Sequence, residues 1–490
     1  MTSLSTELNA GVVLKTILIY VDHGLMIGYY LYTGLAERLT SKGIRLVFLV
    51  QDELIEQMRT QAAGNELLVF ESSREKQTIH YQNHYRPTMQ ELMETIRGGS
   101  MSPRIPLTYV DTHRQRKEYE AKGRWKTLLK STRPAIYVLR YSKIARKLFK
   151  WSQAALFTPR IFEDILDQYQ PDLVISSTAG WRLDRYLLRE ARKRGIKTAM
   201  TVIGWDNPSA FGLPGADVDY ANVWSKIHVR ELSEGLDWPK DKIHIGGMPL
   251  YDGYIHKSWM IPREEYFAEH KLDPNKKLIA YAATALSISP NLHIVEELTR
   301  IISEQKLSVP AQLLLRLHPN HFKSQGHYQE ECERIYEVTA NCPDIHVVAP
   351  KSLSGGLPRY SGEDFPEKAS MLAHCDVLVS IYSTMVVEAS LHDKPFISVC
   401  IDSPTGWPNN FWIPLHDVPS WPTAARVNKA GAGMNAFTSE QLVDELNTYL
   451  LHPELQRENR HKFIEDELTF LKGEATSETT KYLLSLVGLE

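Results

Sequence analysis

At 490 residues the chain is too long for one ordinary core and predicts two or three domains. Hydrophobic residues make up 43% and charged residues 23%, which excludes large-scale disorder, and a formal net charge of -3 excludes bulk attraction to nucleic acid. The four cysteines, Cys332, Cys342, Cys375 and Cys400, show neither CxxC spacing nor histidines at zinc-ligand intervals, which excludes a structural zinc or disulfide scaffold and suits a reducing cytosol.

The first apolar run, Gly11–Val21, carries Lys15 in its middle and no basic leader, so it reads as a strand rather than a signal peptide. No run reaches the roughly 20 residues of a membrane-spanning helix, so any membrane contact is expected to be peripheral. Short apolar runs then alternate with amphipathic stretches, the pattern of parallel sheets covered by helices. The first series is Thr16–Val21, Arg45–Val50, Leu67–Phe70, Leu173–Ser177, Thr198–Ile203 and Ala221–Trp224. A second is Leu278–Ala282, Gln312–Leu317, Ile345–Val348, Val377–Ser380 and Phe396–Val399. Between them lies Ile243-His244-Ile245-Gly246-Gly247-Met248-Pro249, whose glycines and proline suit a linker after a short strand.

The expected fold is therefore α/β, with two Rossmann-like domains facing across a cleft. The first spans 1–250 with a basic helical insertion at about 75–165, and the second spans 251–455. Closing helices over 456–490 pack back on the body. A capping box at Thr438-Ser439-Glu440-Gln441 opens a helix just before them.

From Arg104 to Lys150 the insertion carries fourteen Lys plus Arg against Asp111, Glu118 and Glu120. Tyr137, Tyr141, Ile144, Leu148 and Trp151 recur at helical spacing, with Arg140, Lys143, Lys147 and Lys150 on another face. The ordinary expectation is that the apolar row packs on the first domain and the basic face is solvated. The alternative is that residues 104–151 meet an anionic membrane surface or a phosphorylated acceptor.

Ligands of open α/β sheets bind beyond the carboxyl ends of the strands, which directs attention to four loops. After the first strand come Asp22-His23-Gly24-Leu25-Met26-Ile27-Gly28. His23 suits proton transfer from an acceptor hydroxyl, Asp22 can orient it or act alone, and Gly24 and Gly28 admit a ligand close to the backbone. The competing reading is that His23 caps the following helix. The loop lacks GxGxxG, which disfavours a nicotinamide enzyme. After the fifth strand, Trp205, Asp206 and Asn207 offer a stacking surface, a carboxylate and an amide to a polyhydroxylated ligand, or simply make a turn.

In the second series, Arg316 and His318 share one side of a strand end, before Pro319 and Asn320, and suit a diphosphate. Ser380-Ile381-Tyr382-Ser383-Thr384-Met385-Val386-Val387-Glu388-Ala389 reads as a strand, a hydroxyl-rich turn and a helix start. Such a turn is an anion site, an ordinary N-cap, or both. Asp217-Val218-Asp219 spells a metal-binding DxD, but such tripeptides arise by chance and belong to a different fold, so no metal is expected. P-loop, HExxH and GxSxG signatures are absent.

Trp205-Asp206-Asn207, Gly212, Pro214, Asp219, Trp224-Ser225, Gly247-Met248-Pro249 and Asp252 resemble the middle of bacterial surface-carbohydrate glycosyltransferases, and also of CDP-glycerol glycerophosphotransferases. Arg316, His318-Pro319 and Ser380–Ser390, closing with Lys394-Pro395, are similar to the donor-binding half of both. The resemblance covers roughly 170–400 and is specific for the glycosyltransferase-B superfamily. It implies a nucleotide-activated donor as substrate, no separate cofactor, and a carbohydrate or lipid-linked acceptor entering from the first domain. The diphosphate is then expected near His318, Ser383 and Thr384, and ribose or sugar near Glu388, with His23 or Asp206 as the base.

Two departures matter. Retaining members of the superfamily pair glutamates eight positions apart, and here Phe396 stands where Glu388 would find its partner. UDP-N-acetylglucosamine 2-epimerases show Ser-Gly-Gly in place of Tyr382-Ser383-Thr384, and an Arg- and Glu-rich stretch in place of Ile401–Asn410. The sequence therefore points to an inverting, metal-independent transferase on the cytoplasmic side. The alternatives are a glycerophosphotransferase and a non-catalytic sugar- or nucleotide-binding protein.

Overall fold

The computed structural model describes residues 14–62, 64–106, 114, 117–286, 288–322, 326–350, 364–403 and 414–489, with the side chains of Asn207 and Asn320 excepted. Parts of three expectations, Gly11–Val13 in the first apolar run, residues 107–113 and 115–116 of the basic stretch and most of Ile401–Asn410, lie outside these residues.

Among the described residues, thirteen short strands form two wholly parallel sheets. In the first, β1 (Thr16–Tyr20), β2 (Arg45–Val50), β3 (Leu68–Ser72), β4 (Leu173–Ser176), β5 (Lys197–Thr201), β6 (Tyr220–Val223) and β7 (Ile243–Ile245) take the order β3-β2-β1-β4-β5-β6-β7. The second contains β8 (Lys277–Ala282), β9 (Ala311–Arg316), β10 (Ile345–Val348), β11 (Val377–Ser380), β12 (Phe396–Val399) and β13 (Met434–Ala436). Their order is β10-β9-β8-β11-β12-β13. Each order reverses once, between β1 and β4 and between β8 and β11, and these are the switch points at which doubly wound sheets bind ligands.

Strand alternation builds the layers. Ile17 and Ile19 join a core on one face of β1, while Leu18 and Tyr20 join a second core on the other, against Ile165, Leu166 and Leu187. The first of these cores continues through Leu250, Tyr251, Tyr254 and Phe365 to the second sheet, so the two halves share buried surface. The close approach depends on Gly28, where a Cβ would stand 2.6 Å from the Phe365 ring. Gly28, expected to admit a ligand, thus admits a side chain of the opposite half.

Both halves lock their central strand pair in the same way. Asp172, just before β4, accepts from the backbone of Thr16 and pairs with Lys15 at 2.8 Å. Asp376, just before β11, accepts from the backbone of Leu278 and pairs with Lys277 at 3.0 Å.

The chain ends in the helices Arg457–Glu467 and Ala475–Val487. The last belongs to the first half. Asp252 accepts from Ala475 and Thr476 at its start, Asn222 donates to Thr479, and Lys197 donates to the carbonyl of Leu486.

The insertion is helical at Glu75–His84, Pro87–Gly98, Gly123–Lys130, Arg133–Tyr141 and Lys143–Leu156. Its orientation overturns the ordinary expectation. Tyr137, Tyr141, Ile144, Leu148 and Trp151 point outward and are exposed, while Arg146 and Gln153 are buried. The cause is a buried polar anchor: Arg146 forms a bidentate pair with Asp237 and donates to the carbonyls of Leu139 and Arg140. Lys150, expected on a solvated face, pairs with Asp217 at 2.7 Å. Among the described residues no helix is long and apolar enough to cross a membrane, and the four cysteines are unpaired.

Candidate functional site

Beyond the carboxyl ends of both sheets lies one cavity of about 450 Å³. His23, Ser177, Arg182, Trp205 and Asp206 line it from the first half. Thr284, Arg316, His318, Lys368, Tyr382, Ser383, Thr384 and Glu388 line it from the second. The switch-point loops of both sheets therefore open on the same space.

On the first-half wall, Asp184 is fully buried and folds the loop after β4 around itself. It accepts from the hydroxyls of Ser176 and Thr178 and from the backbone of Gly180 and Arg182. This places Ser177 to donate to Asp22 and Arg182 to stand 3.5 Å from the other Asp22 oxygen. Burial outweighs these partners and raises the Asp22 carboxyl from 3.8 to about 6, with Asp184 adding to the rise. Asp22 thus sits behind the wall rather than on it.

His23 is the N-cap of the short helix Gly24–Ile27, its Nδ1 accepting from Leu25 N–H at 3.1 Å. With Nδ1 an acceptor, the neutral ring carries its proton on Nε2, so that nitrogen donates rather than accepts. Gly24 opens the helix and is buried.

Trp205 is 3% exposed, and its indole N–H donates to Glu467 at 2.8 Å. The expected stacking face is instead covered by Arg426, which lies over the ring at 5.5 Å and pairs with both Glu467 and Glu231. Asp206, by contrast, keeps solvent-accessible surface toward the cavity, yet burial around it raises its carboxyl above the ordinary range. Asn207 opens the following turn of helix, and its side chain lies outside the described part.

The second-half wall is dense with internal pairs. Arg316, expected on a diphosphate, gives one Nη to both oxygens of Asp364 at 2.9 and 2.7 Å, and both residues are buried. That contact requires a helix, Asp364–His374, distant in sequence from β9. His318 keeps its place on the wall. His321 fixes its loop by accepting from the His318 backbone and bonding Glu331 at 2.8 Å. Asn320 lies in the same turn, its side chain outside the described part. The Tyr382 hydroxyl lies 2.5 Å from the side-chain oxygens of both Asn428 and Asn435, committing it to the fold. Ser383 Oγ accepts from Met385 N–H at 3.2 Å, the plain-cap reading, while Thr384, the residue before the helix Met385–Leu391, makes no side-chain cap bond.

Glu388 is on the wall and pairs with Lys368 at 2.9 Å, both nearly buried. Lys368 lies in none of the strand-end loops. The available signal was its i,i+4 spacing from Asp364, which puts two charges on one helix face beside Phe365. Glu388 Oε2 and the Tyr251 hydroxyl are buried at this cavity with no hydrogen-bond partner among the described residues. Such atoms cost about 1–3 kcal/mol each, so those that border a cavity mark a place for a polar ligand. The DxD carboxylates are spent elsewhere: Asp219 accepts from the Thr198 backbone and pairs with Arg192, and Asp217 holds Lys150.

Two doubly wound domains facing across a cleft, with the last helix returned to the first, make this the glycosyltransferase-B fold. Solved structures similar across the whole length include the UDP-GlcNAc 2-epimerase of Neisseria meningitidis bound to UDP-GlcNAc. It has 12% identity, coverage of 96% of this chain and 100% of that one, and a TM-score of 0.53. The S. aureus MnaA–UDP complex has 11% identity, coverage of 97% and 98%, and a TM-score of 0.50. A glycosyltransferase of Rickettsia africae has 12% identity, coverage of 96% and 98%, and a TM-score of 0.48. No protein-family model and no curated protein matches the chain. At such identities the likeness is one of fold.

Proposed function

We propose that the protein is an inverting, metal-independent glycosyltransferase moving a sugar from a nucleotide-activated donor to a hydroxyl acceptor, in surface-polysaccharide or glycolipid assembly. The observation that carries this reading is the single cavity onto which both switch points open, with unpaired buried polar atoms in its wall. The donor diphosphate lies against His318, Ser383 and Thr384, and a ribose or sugar hydroxyl satisfies Glu388 Oε2. Asp206 is the base: it faces the cavity, and its raised carboxyl holds a proton more firmly than an ordinary one. His23 donates from Nε2 to the acceptor or to a donor oxygen, and Asp22 positions the loop behind it. Catalysis then consists of positioning plus stabilisation of the departing diphosphate.

A second reading, epimerisation of a nucleotide sugar, draws support from the similar structure that is named as a UDP-GlcNAc 2-epimerase. The test is calorimetric binding of UDP, GDP, dTDP, CDP and CMP in EDTA, followed by product analysis with the preferred donor. Acceptor-dependent release of a nucleoside diphosphate is expected. Preference for CMP or CDP with CMP release indicates glycerophosphate transfer, a changed sugar without acceptor indicates epimerisation, and binding without turnover indicates a binding protein. Asp206→Asn is expected to lower kcat roughly 10²–10⁴-fold with donor affinity unchanged.

A further inference from the structure

The helix Lys143–Leu156 is turned inside out. It buries Arg146 at 5% exposure and leaves Ile144, Leu148 and Trp151 at 74%, 61% and 66%. The preceding helix adds Tyr137, Val138 and Tyr141, all more than half exposed, and the Tyr137 and Tyr141 rings are 4.9 Å apart. Each large apolar side chain left in water forgoes about 1.5–3 kcal/mol of burial, so a face of six is a surface made to be covered.

The charges around it say by what. Lys143 and Lys147 occupy the row beside Ile144 and Leu148, and Lys122, Arg124 and Lys130 stand on the adjoining segment. All five are exposed and make no ion pair among the described residues. Of the acids of this segment among the described residues, Glu118 is already taken by Arg114 and Arg133, and Glu120 is outnumbered by the five cations. Tyrosine and tryptophan favour the headgroup level of a bilayer, aliphatic side chains favour its acyl boundary, and unpaired lysines favour anionic headgroups.

We propose that this face docks the protein on an anionic lipid bilayer. A relay of contacts connects it to the cavity. Ile136, on the buried side of the same helix, packs on Gly99, and Arg97 beside it donates to the carbonyls of Leu213 and Trp181. Trp181 stacks at 5.1 Å on Phe211, which lines the cavity. Docking therefore places the helices of the insertion between the membrane and the first-half wall. Taken with the transferase reading, this fits an acceptor whose hydroxyl is carried on a lipid.

The experiment is flotation of the full chain with phosphatidylcholine vesicles, with and without phosphatidylglycerol. Its readout requires neither donor nor turnover, so its failure and that of the transferase reading are separable. Flotation is expected only with phosphatidylglycerol and should weaken as salt is added. The variant Lys143→Gln/Lys147→Gln is expected to lose about thirtyfold in vesicle affinity, each basic charge near an anionic surface contributing about fivefold. The variant Ile144→Ser/Leu148→Ser/Trp151→Ser should lose about hundredfold or more, with an unchanged melting temperature because those side chains already face water. Absence of flotation, equal flotation of both variants and wild type, or a lipid-free dimer that the serine variant dissolves would each overturn the proposal.

Discussion

The two halves share a scaffold and part ways at the cavity. At the base, Asp172-Leu173-Val174-Ile175-Ser176 and Asp376-Val377-Leu378-Val379-Ser380 are near copies, and each aspartate ties its strand to the first strand of its sheet. At the top, the second half matches its buried charges internally: Arg316 with Asp364, Lys368 with Glu388, His321 with Glu331. The first half leaves carboxyls raised by burial at or beside the cavity, Asp22, Asp206 and Glu231 among them. The difference teaches that one parallel framework can carry a wall set in fixed pairs and a wall poised to exchange protons. The donor and acceptor roles proposed above follow that division.

Breaking a fixed pair should have the largest effect on stability. Asp364→Ala leaves Arg316 buried without its carboxylate and is expected to cost about 3–5 kcal/mol in denaturant unfolding. Asp364→Leu combined with Arg316→Met should recover most of that loss. A cost below about 1 kcal/mol for the single variant would show that the second wall is not held by this pair.

Asp22 sharpens the other side of the comparison. Between pH 3.8 and about 6 the folded chain keeps a proton on Asp22 that the unfolded chain has released. Stability therefore falls as pH rises through that window, and the penalty is complete above it. Asp22→Asn should remove up to about 3 kcal/mol of this penalty at neutral pH and flatten that part of the melting profile. A difference between variant and wild type that does not change with pH would exclude a raised Asp22. The smallest effect is expected at the turn after β11: Ser383→Ala removes one bond to a helix-start amide and should cost about 1 kcal/mol or less by thermal melting.

Most strands were legible because a strand buried on both faces reads as an unbroken apolar run. β13 escaped because it is only three residues long, with the polar Asn435 at its centre. Helical spacing put Ile144, Leu148 and Trp151 on one face, but periodicity says which residues share a face and not which way it turns. That was decided by Asp237, far along the chain from Arg146. The loops of the cavity were found from strand ends alone, since topology dictates where ligands bind. The roles within them were less legible. Trp205 and Arg316 line the cavity and are also held by Glu467 and Asp364, and no local pattern announces partners so distant. Several residues that carry the family resemblance, Asp219, Trp224 and Asp252 among them, prove to be fold-makers: they cap, bond or close elements of the first half.

The docking of Ala475–Val487 against the first half has a consequence for how the protein is born. Asn222, Gly246 and Asp252 wait for partners at Thr479, Ala475 and Thr476, which the ribosome adds only after the whole second half. At about 5–20 residues per second, the edge of the first sheet stands unfinished for roughly 10–50 s. The emerging chain therefore cannot complete its domains one after the other. Its first half is sealed only after the second half has been made, by a segment that lies beyond that half in the chain.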